Sequence, residues 1–174
     1  MNSFELPTVT CTFKSPFGPF FLTATTGGLV SLVFADSGAA DSARTRRRTL
    51  PKKHLKTARQ ILRNSRTLLR DYFNGDLSAL RRIKLDAIRG TEFQKSVWSA
   101  AKAIPPGSTS TYRNIAKTLG KPRAYRAVGN ALKANPICLV IPCHRIISST
   151  GKLAGYAGGT KRKVVLLQHE GAII

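Results

Sequence analysis

The segment Asn135-Pro136-Ile137-Cys138-Leu139-Val140-Ile141-Pro142-Cys143-His144-Arg145 sets a thiol directly before an imidazole. A cysteine is a strong nucleophile only as its thiolate, so a neighbouring base that can take its proton suggests a reactive centre. Leu139-Val140-Ile141 predicts a short buried strand ended by Pro142, which cannot continue a ladder and would turn Cys143 toward an opening. The other two cysteines read as packing residues: Cys138 begins the apolar run, and Cys11 lies in an alternating stretch as a core-facing strand residue. Three cysteines cannot all pair, and no apolar leader precedes them, so no disulfide framework is expected. Cys138, Cys143 and His144 offer too few ligands at the wrong spacing for zinc, and no metal is expected.

Charge points to the substrate class. The chain has 29 Lys and Arg against 8 Asp and Glu, a formal net charge of +21 over 174 residues. Such an excess attracts polyanions and opposes self-association, which favours a nucleic-acid partner and a monomer. Residues 1–88 carry 15 basic and 6 acidic side chains, and residues 89–174 carry 14 basic and 2 acidic ones. In the half that holds Cys143, the carboxylates are Glu92 and Glu170, so each is a candidate for a specific task. No apolar run approaches membrane-spanning length.

The elements that must position the cysteine change character near residue 88. Val9–Phe13, Phe20–Ala24 and Leu29–Phe34 predict three strands, with turns at Pro16-Phe17-Gly18-Pro19 and Gly27-Gly28. Residues 36–51 read as a mobile, arginine-rich loop. From Pro51 to Phe73, Leu55, Ala58, Ile61, Leu62, Leu68 and Leu69 recur at helical spacing, and Asn74-Gly75 ends the helix. Its Lys52, Lys53, Lys56, Arg59, Arg63, Arg66 and Arg70 form a solvated face or a secondary nucleic-acid contact. Past Arg89, Thr91 caps a helix running to about Ala103, with Phe93, Val97, Trp98 and Ala101 inward. Thr111–Leu119, closed by Gly120, and Ala124–Ala134 then make two short helices across a tight turn. The second is basic, as in a helix-turn-helix.

A series of short motifs in the second half agrees in order and spacing with one family. These are Gly90-Thr91-Glu92-Phe93-Gln94, Val97-Trp98, Thr111-Tyr112, Arg126-Ala127-Val128-Gly129-Asn130-Ala131, Asn135-Pro136, Ile141-Pro142-Cys143-His144-Arg145, Gly155-Tyr156, Gly158-Gly159 and Leu166-Leu167-Gln168-His169-Glu170-Gly171. Through them the chain resembles the O6-alkylguanine-DNA alkyltransferases over its last 85 or so residues, and the first 88 are similar in layout. The resemblance implies an α/β N-terminal domain, residues 1–88, with a ribonuclease-H-like small antiparallel sheet plus a helix. It implies a mostly α, winged-helix-like C-terminal domain, residues 89–174, carrying the helix-turn-helix. The implied reaction moves an alkyl group irreversibly from O6 of guanine to Cys143, a single-turnover reaction that consumes the protein and needs no cofactor.

The roles implied by that family follow residue by residue. His144 would take the Cys143 proton through a water, and Glu170 would orient His144 and stabilise its cation. Tyr112 would hydrogen-bond the guanine ring and stabilise the leaving base, while Asn135 would tie the active-site turn to the helix-turn-helix. Val140, Pro142 and the Leu153–Gly159 loop, with Tyr156, Ala157 and Gly158, would wall the base pocket. Arg126 would fill the space left by a guanine flipped from double-stranded DNA, with Ala127 and Gly129 small for minor-groove approach and Arg123 beside them. Ala157 departs from relatives that have serine there, which removes a hydroxyl from the O6 contact. Zinc ligands of some relatives have only Cys11 and His54 to match them here. The alternatives are a non-catalytic alkyltransferase-like binder of damaged DNA, which would lack the cysteine, and a plain basic DNA-binding module. The expected location is the cytoplasm with the nucleoid, or the nucleus in a eukaryotic source.

Overall fold

The computed structural model describes residues 7–38, 40, 50–153 and 155–172, and the chain divides into two compact units, Met1–Ile88 and Arg89–Ile174. In the expected arginine-rich loop, residues 39 and 41–49 lie outside the described residues.

The first unit is a three-stranded antiparallel sheet with one long helix on it. Strands β1 (Val9–Ser15), β2 (Gly18–Ala24) and β3 (Leu29–Phe34) pair in sequence order. The β1–β2 register runs from Val9↔Ala24 to Ser15↔Gly18, so Pro16 and Phe17 form the tip of the hairpin. Between β2 and β3 the Thr25 hydroxyl donates to Asp86, and the Gly27 N–H donates back to the Thr25 hydroxyl. A Cβ at Gly28 would stand 2.5 Å from the Leu85–Asp86 backbone, which explains the glycine there. Phe13, Phe20, Leu22, Leu32 and Phe34 face the helix α1 (Lys52–Phe73), whose Ala58, Leu62, Leu69 and Tyr72 are buried. Cys11 is half-buried rather than fully in the core, and burial pushes its thiol up despite the nearby charge of Arg66.

The second unit is built from helices α2 (Glu92–Lys102), α3 (Tyr112–Thr118), α4 (Tyr125–Lys133) and α5 (Thr160–His169). Thr91 caps α2 through a complete capping box with Gln94, and Thr111 caps α3 by accepting from the Asn114 N–H. Gly120 at φ 68° lets the chain leave α3 and enter α4 after a short turn, which makes the helix-turn-helix. A two-residue parallel pairing, β4 (Ser110–Thr111) with β5 (Ile146–Ile147), was not expected. It fastens the residue before Tyr112 to the segment just after Cys143-His144-Arg145. Among the described residues, no helix is long and apolar enough to cross a membrane, and no three His, Cys, Asp or Glu side chains converge as metal ligands.

One buried hydrogen bond fixes the second helix of the pair. Trp98 Nε1 donates to the Ala131 carbonyl at 2.8 Å. That carbonyl lies in the last turn of α4, where helix geometry provides no N–H partner. Replacing Trp98 by Phe keeps most of the ring but strands the acceptor. We expect a loss of about 1–3 kcal/mol in unfolding free energy at unchanged denaturant slope. An unaltered midpoint would show that the bond contributes nothing.

Candidate active site and nucleic-acid face

The apolar run before Cys143 is a turn, not the strand expected from its composition. The Ile141 N–H donates to the Ile137 carbonyl at 2.9 Å, and the Val140 N–H donates to the Cys138 carbonyl at 2.9 Å. Leu139 takes a left-handed conformation, φ 69°, which a residue with a Cβ adopts at a cost of about 1–3 kcal/mol. Residues 139–142 are all buried, and a short apolar run looks the same to a pattern reading whether it is extended or reversed.

Asn135, just past the end of α4, holds both ends of this turn. Its Oδ1 accepts from the Ile137 N–H at 2.9 Å, and its Nδ2 donates to the Ile141 carbonyl at 2.8 Å and to Cys143 Sγ at 3.3 Å. Cys143 then opens a 3-10 turn through Arg145. The residue is 9% exposed, and burial pushes its thiol up, opposed by the Asn135 donor, the charge of Lys163 and two backbone N–H groups. Burial thus disfavours the thiolate, while the groups around Cys143 are placed to stabilise one.

His144 is wholly buried, with Nε2 3.1 Å from Glu170 Oε1. An ionised carboxylate only accepts, so Nε2 carries the hydrogen and Nδ1 keeps a lone pair. Nδ1 has no hydrogen-bond partner among the described residues. Burial holds the imidazole below its ordinary pKa in spite of Glu170, which leaves it neutral and able to accept a proton.

Glu170 has a second partner that sequence reasoning missed. Arg145 donates from Nε to Oε2 and from Nη2 to Oε1, both at 2.7 Å, and its Nη1 donates to the Ile104 carbonyl. Burial works against the carboxylate, yet the hydrogen bonds and charges of Arg145 and His144 hold it down to about 2. Lys163 is a further unanticipated member. Its side chain is wholly buried on α5, and its Nζ donates to the Ile146 carbonyl. Burial lowers the ammonium to about 8, and a thiolate at Cys143 would raise it again. A usable signal was present: Lys163 precedes Leu166, Leu167 and Glu170 by three, four and seven residues, so it shares their inward face.

The other expected pocket residues fall as follows. Tyr112 is half-buried at the start of α3, and its phenol is pushed up by burial and then by negative charge at Cys143. The Tyr156 ring meets the His144 ring edge-on, with centroids 6.4 Å apart. Val140, Pro142 and Gly158 are buried, Leu153 is half-buried and Ala157 is exposed.

The helix-turn-helix presents cations outward. Arg113, Lys117, Lys121, Arg123, Arg126 and Lys133 are exposed, as is Ala127, while Gly129 is half-buried. A Cβ on Gly129 would make ordinary contact with the Tyr112 ring at 3.7 Å, so the position sits against that tyrosine. Tyr125, which the sequence did not single out, lies under two guanidinium groups, Arg113 at 5.5 Å and Arg126 at 5.8 Å from its ring centre.

Comparison with known proteins agrees in both units. Residues 92–172 match the family model "6-O-methylguanine DNA methyltransferase, DNA binding domain", and residues 9–87 match "6-O-methylguanine DNA methyltransferase, ribonuclease-like domain". The chain is 44% identical over 157 residues to a methylated-DNA–protein-cysteine methyltransferase of Methanosarcina barkeri, covering 90% of this chain and 93% of that one. It superposes on the crystal structure of Mycobacterium tuberculosis O6-methylguanine methyltransferase with a TM-score of 0.78 at 37% identity, over 94% and 93% of the two chains. A Mycobacterium tuberculosis structure solved in complex with DNA gives 0.78 at 38% identity, over 92% and 91%.

The clamp on Glu170 predicts strong coupling. Arg145→Met and Glu170→Gln should each cost about 3–5 kcal/mol of stability, because each leaves a buried group unpaired, whereas the double variant should lose clearly less than the sum. With the carboxylate held near 2, its contribution is complete above the ordinary carboxylate range and lost as the pH falls toward 2. The Glu170→Gln variant should lack that acid-sensitive portion. Additive losses in the cycle would show that the two side chains act independently.

Proposed function

The chain belongs to the 6-O-methylguanine DNA methyltransferase family, and on that premise we propose that Cys143 is the acceptor sulfur and that His144, Lys163, Asn135 and Glu170 prepare it. Its activity is DNA repair as a methylated-DNA–protein-cysteine methyltransferase, and it binds DNA. The observation that carries the assignment is the setting of Cys143: a buried thiol with an amide donor at 3.3 Å, under the charge of the buried Lys163 ammonium, followed by an imidazole with an open Nδ1.

The step balances as follows. The Cys143 proton passes through a bridging water to His144 Nδ1, leaving a thiolate beside the Lys163 ammonium. The sulfur attacks the alkyl carbon on O6 in line with the departing oxygen, so a C–S bond forms as the O–C bond breaks. The electron pair goes to the guanine, which takes up one proton, the equivalent of the one His144 received and gives back through water, and Tyr112 donates a hydrogen bond to the leaving base. Glu170 is already shared between Arg145 and His144, so its main work is to fix the imidazole tautomer rather than to supply free negative charge. The thioether product has no route back to a thiol, which accounts for a single turnover.

The partner is double-stranded DNA containing O6-alkylguanine. A thiol this deep cannot reach O6 inside a stacked duplex, so the base must swing out, at a cost of a few kcal/mol. Arg126 fills the vacancy from the minor groove, Arg123 steadies the backbone, and Ala127 and Gly129 allow close approach. The pocket walls are Val140, Pro142, Leu153, Tyr156, Ala157 and Gly158. The cationic surface opposes self-association, so the working form is a monomer, acting where the genomic DNA lies. A binder without chemistry would have no use for a sulfur so surrounded by proton acceptors and cations.

Two experiments test this reading. After incubation with duplex carrying O6-methylguanine, the peptide containing Cys143 should gain one methylene in mass, and Cys143→Ala should bind the same duplex without gaining mass. Methylation on another residue, or none with binding retained, would refute the assignment. Lys163→Met should slow transfer by roughly 10-fold or more near neutral pH and move the pH–rate profile upward, with Lys163→Arg restoring part of both. A profile that keeps its position would remove Lys163 from thiolate stabilisation.

A further inference from the structure

We propose that α1 in the first unit is a second nucleic-acid-binding face, one that grips the phosphate backbone of a duplex independently of the alkyl-transfer site. Lys52, Lys56, Arg59, Arg63, Arg66 and Arg70 are all exposed. At 3.6 residues per turn they fall within an arc of about 80°, a single line of cations about 27 Å long. Lys53 stands beside the line. The nearest carboxylate on the helix, Asp71, lies about a quarter turn away and is committed to Arg82. Among the described residues none of the six cations takes part in an ion pair.

This arrangement is a poor one for a helix that only has to be wetted. Each successive pair in the line is spaced three or four residues apart, where like charges face and repel one another. The first turn holds Lys52 and Lys53 and no acid, against the positive end of the helix dipole. Gln60 and Asn64 show that neutral polar residues are accommodated on the exposed surface beside the line. A solvated face with mixed charges would be more stable, so the one-signed row is explained by an anionic partner that removes the repulsion. A regular array of phosphates is the polyanion that matches a straight row of this length, and duplex DNA is the polymer this protein already engages. The row fits that backbone as a line of Arg and Lys contacts that carry no base readout.

The test compares two full-length variants of equal net charge. In one, Arg59, Arg63 and Arg66 are replaced by Gln; in the other, Lys14, Arg81 and Lys84, which are also exposed and off the row, are replaced by Gln. Affinity for an undamaged DNA duplex is measured across salt concentration, and alkyl transfer from free O6-benzylguanine monitors the reactive centre in both. The row variant should bind about 10- to 100-fold more weakly at low salt, with a log–log salt dependence shallower by about 2 to 3, near 0.9 per lost phosphate contact. The control variant should keep nearly the parental slope, and both should react normally with the free base. Equal effects in the two variants would reduce the row to net charge and overturn the proposal. So would an unchanged slope in the row variant, or a loss confined to phosphatidylserine vesicles with duplex binding intact.

Discussion

The constraint on which the second unit depends is the burial of charge. Arg145, Lys163 and Glu170 are at most 5% exposed, and they surround a wholly buried His144 and a nearly buried Cys143. Moving so many ionisable groups out of water is tolerable only if their charges cancel. Arg145 cancels Glu170 through two hydrogen bonds. Lys163 donates to the Ile146 carbonyl, and a thiolate at Cys143 would supply an opposite charge that raises the ammonium again. Burial disfavours the charged form of each group, and an ammonium at Lys163 and a thiolate at Cys143 would each favour the other's charge. In the proposed reaction this electrostatic imbalance, held in place by packing, would be resolved when the sulfur becomes anionic and recreated when it becomes a neutral thioether.

The remaining architecture holds that imbalance in register with the cationic face of the helix-turn-helix. Asn135 bridges the end of α4 to the turn and to the sulfur, so α4 and Cys143 Sγ are held as one piece. The short β4–β5 pairing brings the start of α3, with Tyr112, to the residues following the Cys143 turn. Trp98 closes a carbonyl of α4 from α2. The left-handed Leu139 fits the same logic, since an otherwise unfavourable backbone angle is what lets an apolar run reverse and present its last residue to the pocket.

Much of this was legible in the residues themselves. Thr91 announced its helix by capping chemistry, and Gly120 announced the turn, because local hydrogen bonds decide those features, whereas Thr111, read as the first helical residue, proves to be a cap. Cys143, His144 and Glu170 followed from motif order. The parts that were missed depend on contacts distant in sequence. Arg145 stood in the most conspicuous tetrapeptide, yet nothing local says that its guanidinium turns toward a carboxylate 25 residues away. Lys163 sits in Lys161-Arg162-Lys163, which reads as a solvated basic run, and only its helical phase with Leu166, Leu167 and Glu170 hints otherwise. The run from Leu139 to Ile141 was read as a strand because apolar composition reports burial and not direction.

The coupling of Lys163 to Cys143 Sγ is measured most directly by following the ¹³C shift of the Lys163 ε-methylene against pH, before and after Cys143 is alkylated. A midpoint near 8 in the free protein that falls further once the sulfur is a neutral thioether is the result required by a shared buried charge. A midpoint in the ordinary lysine range, or one that alkylation leaves in place, would contradict it.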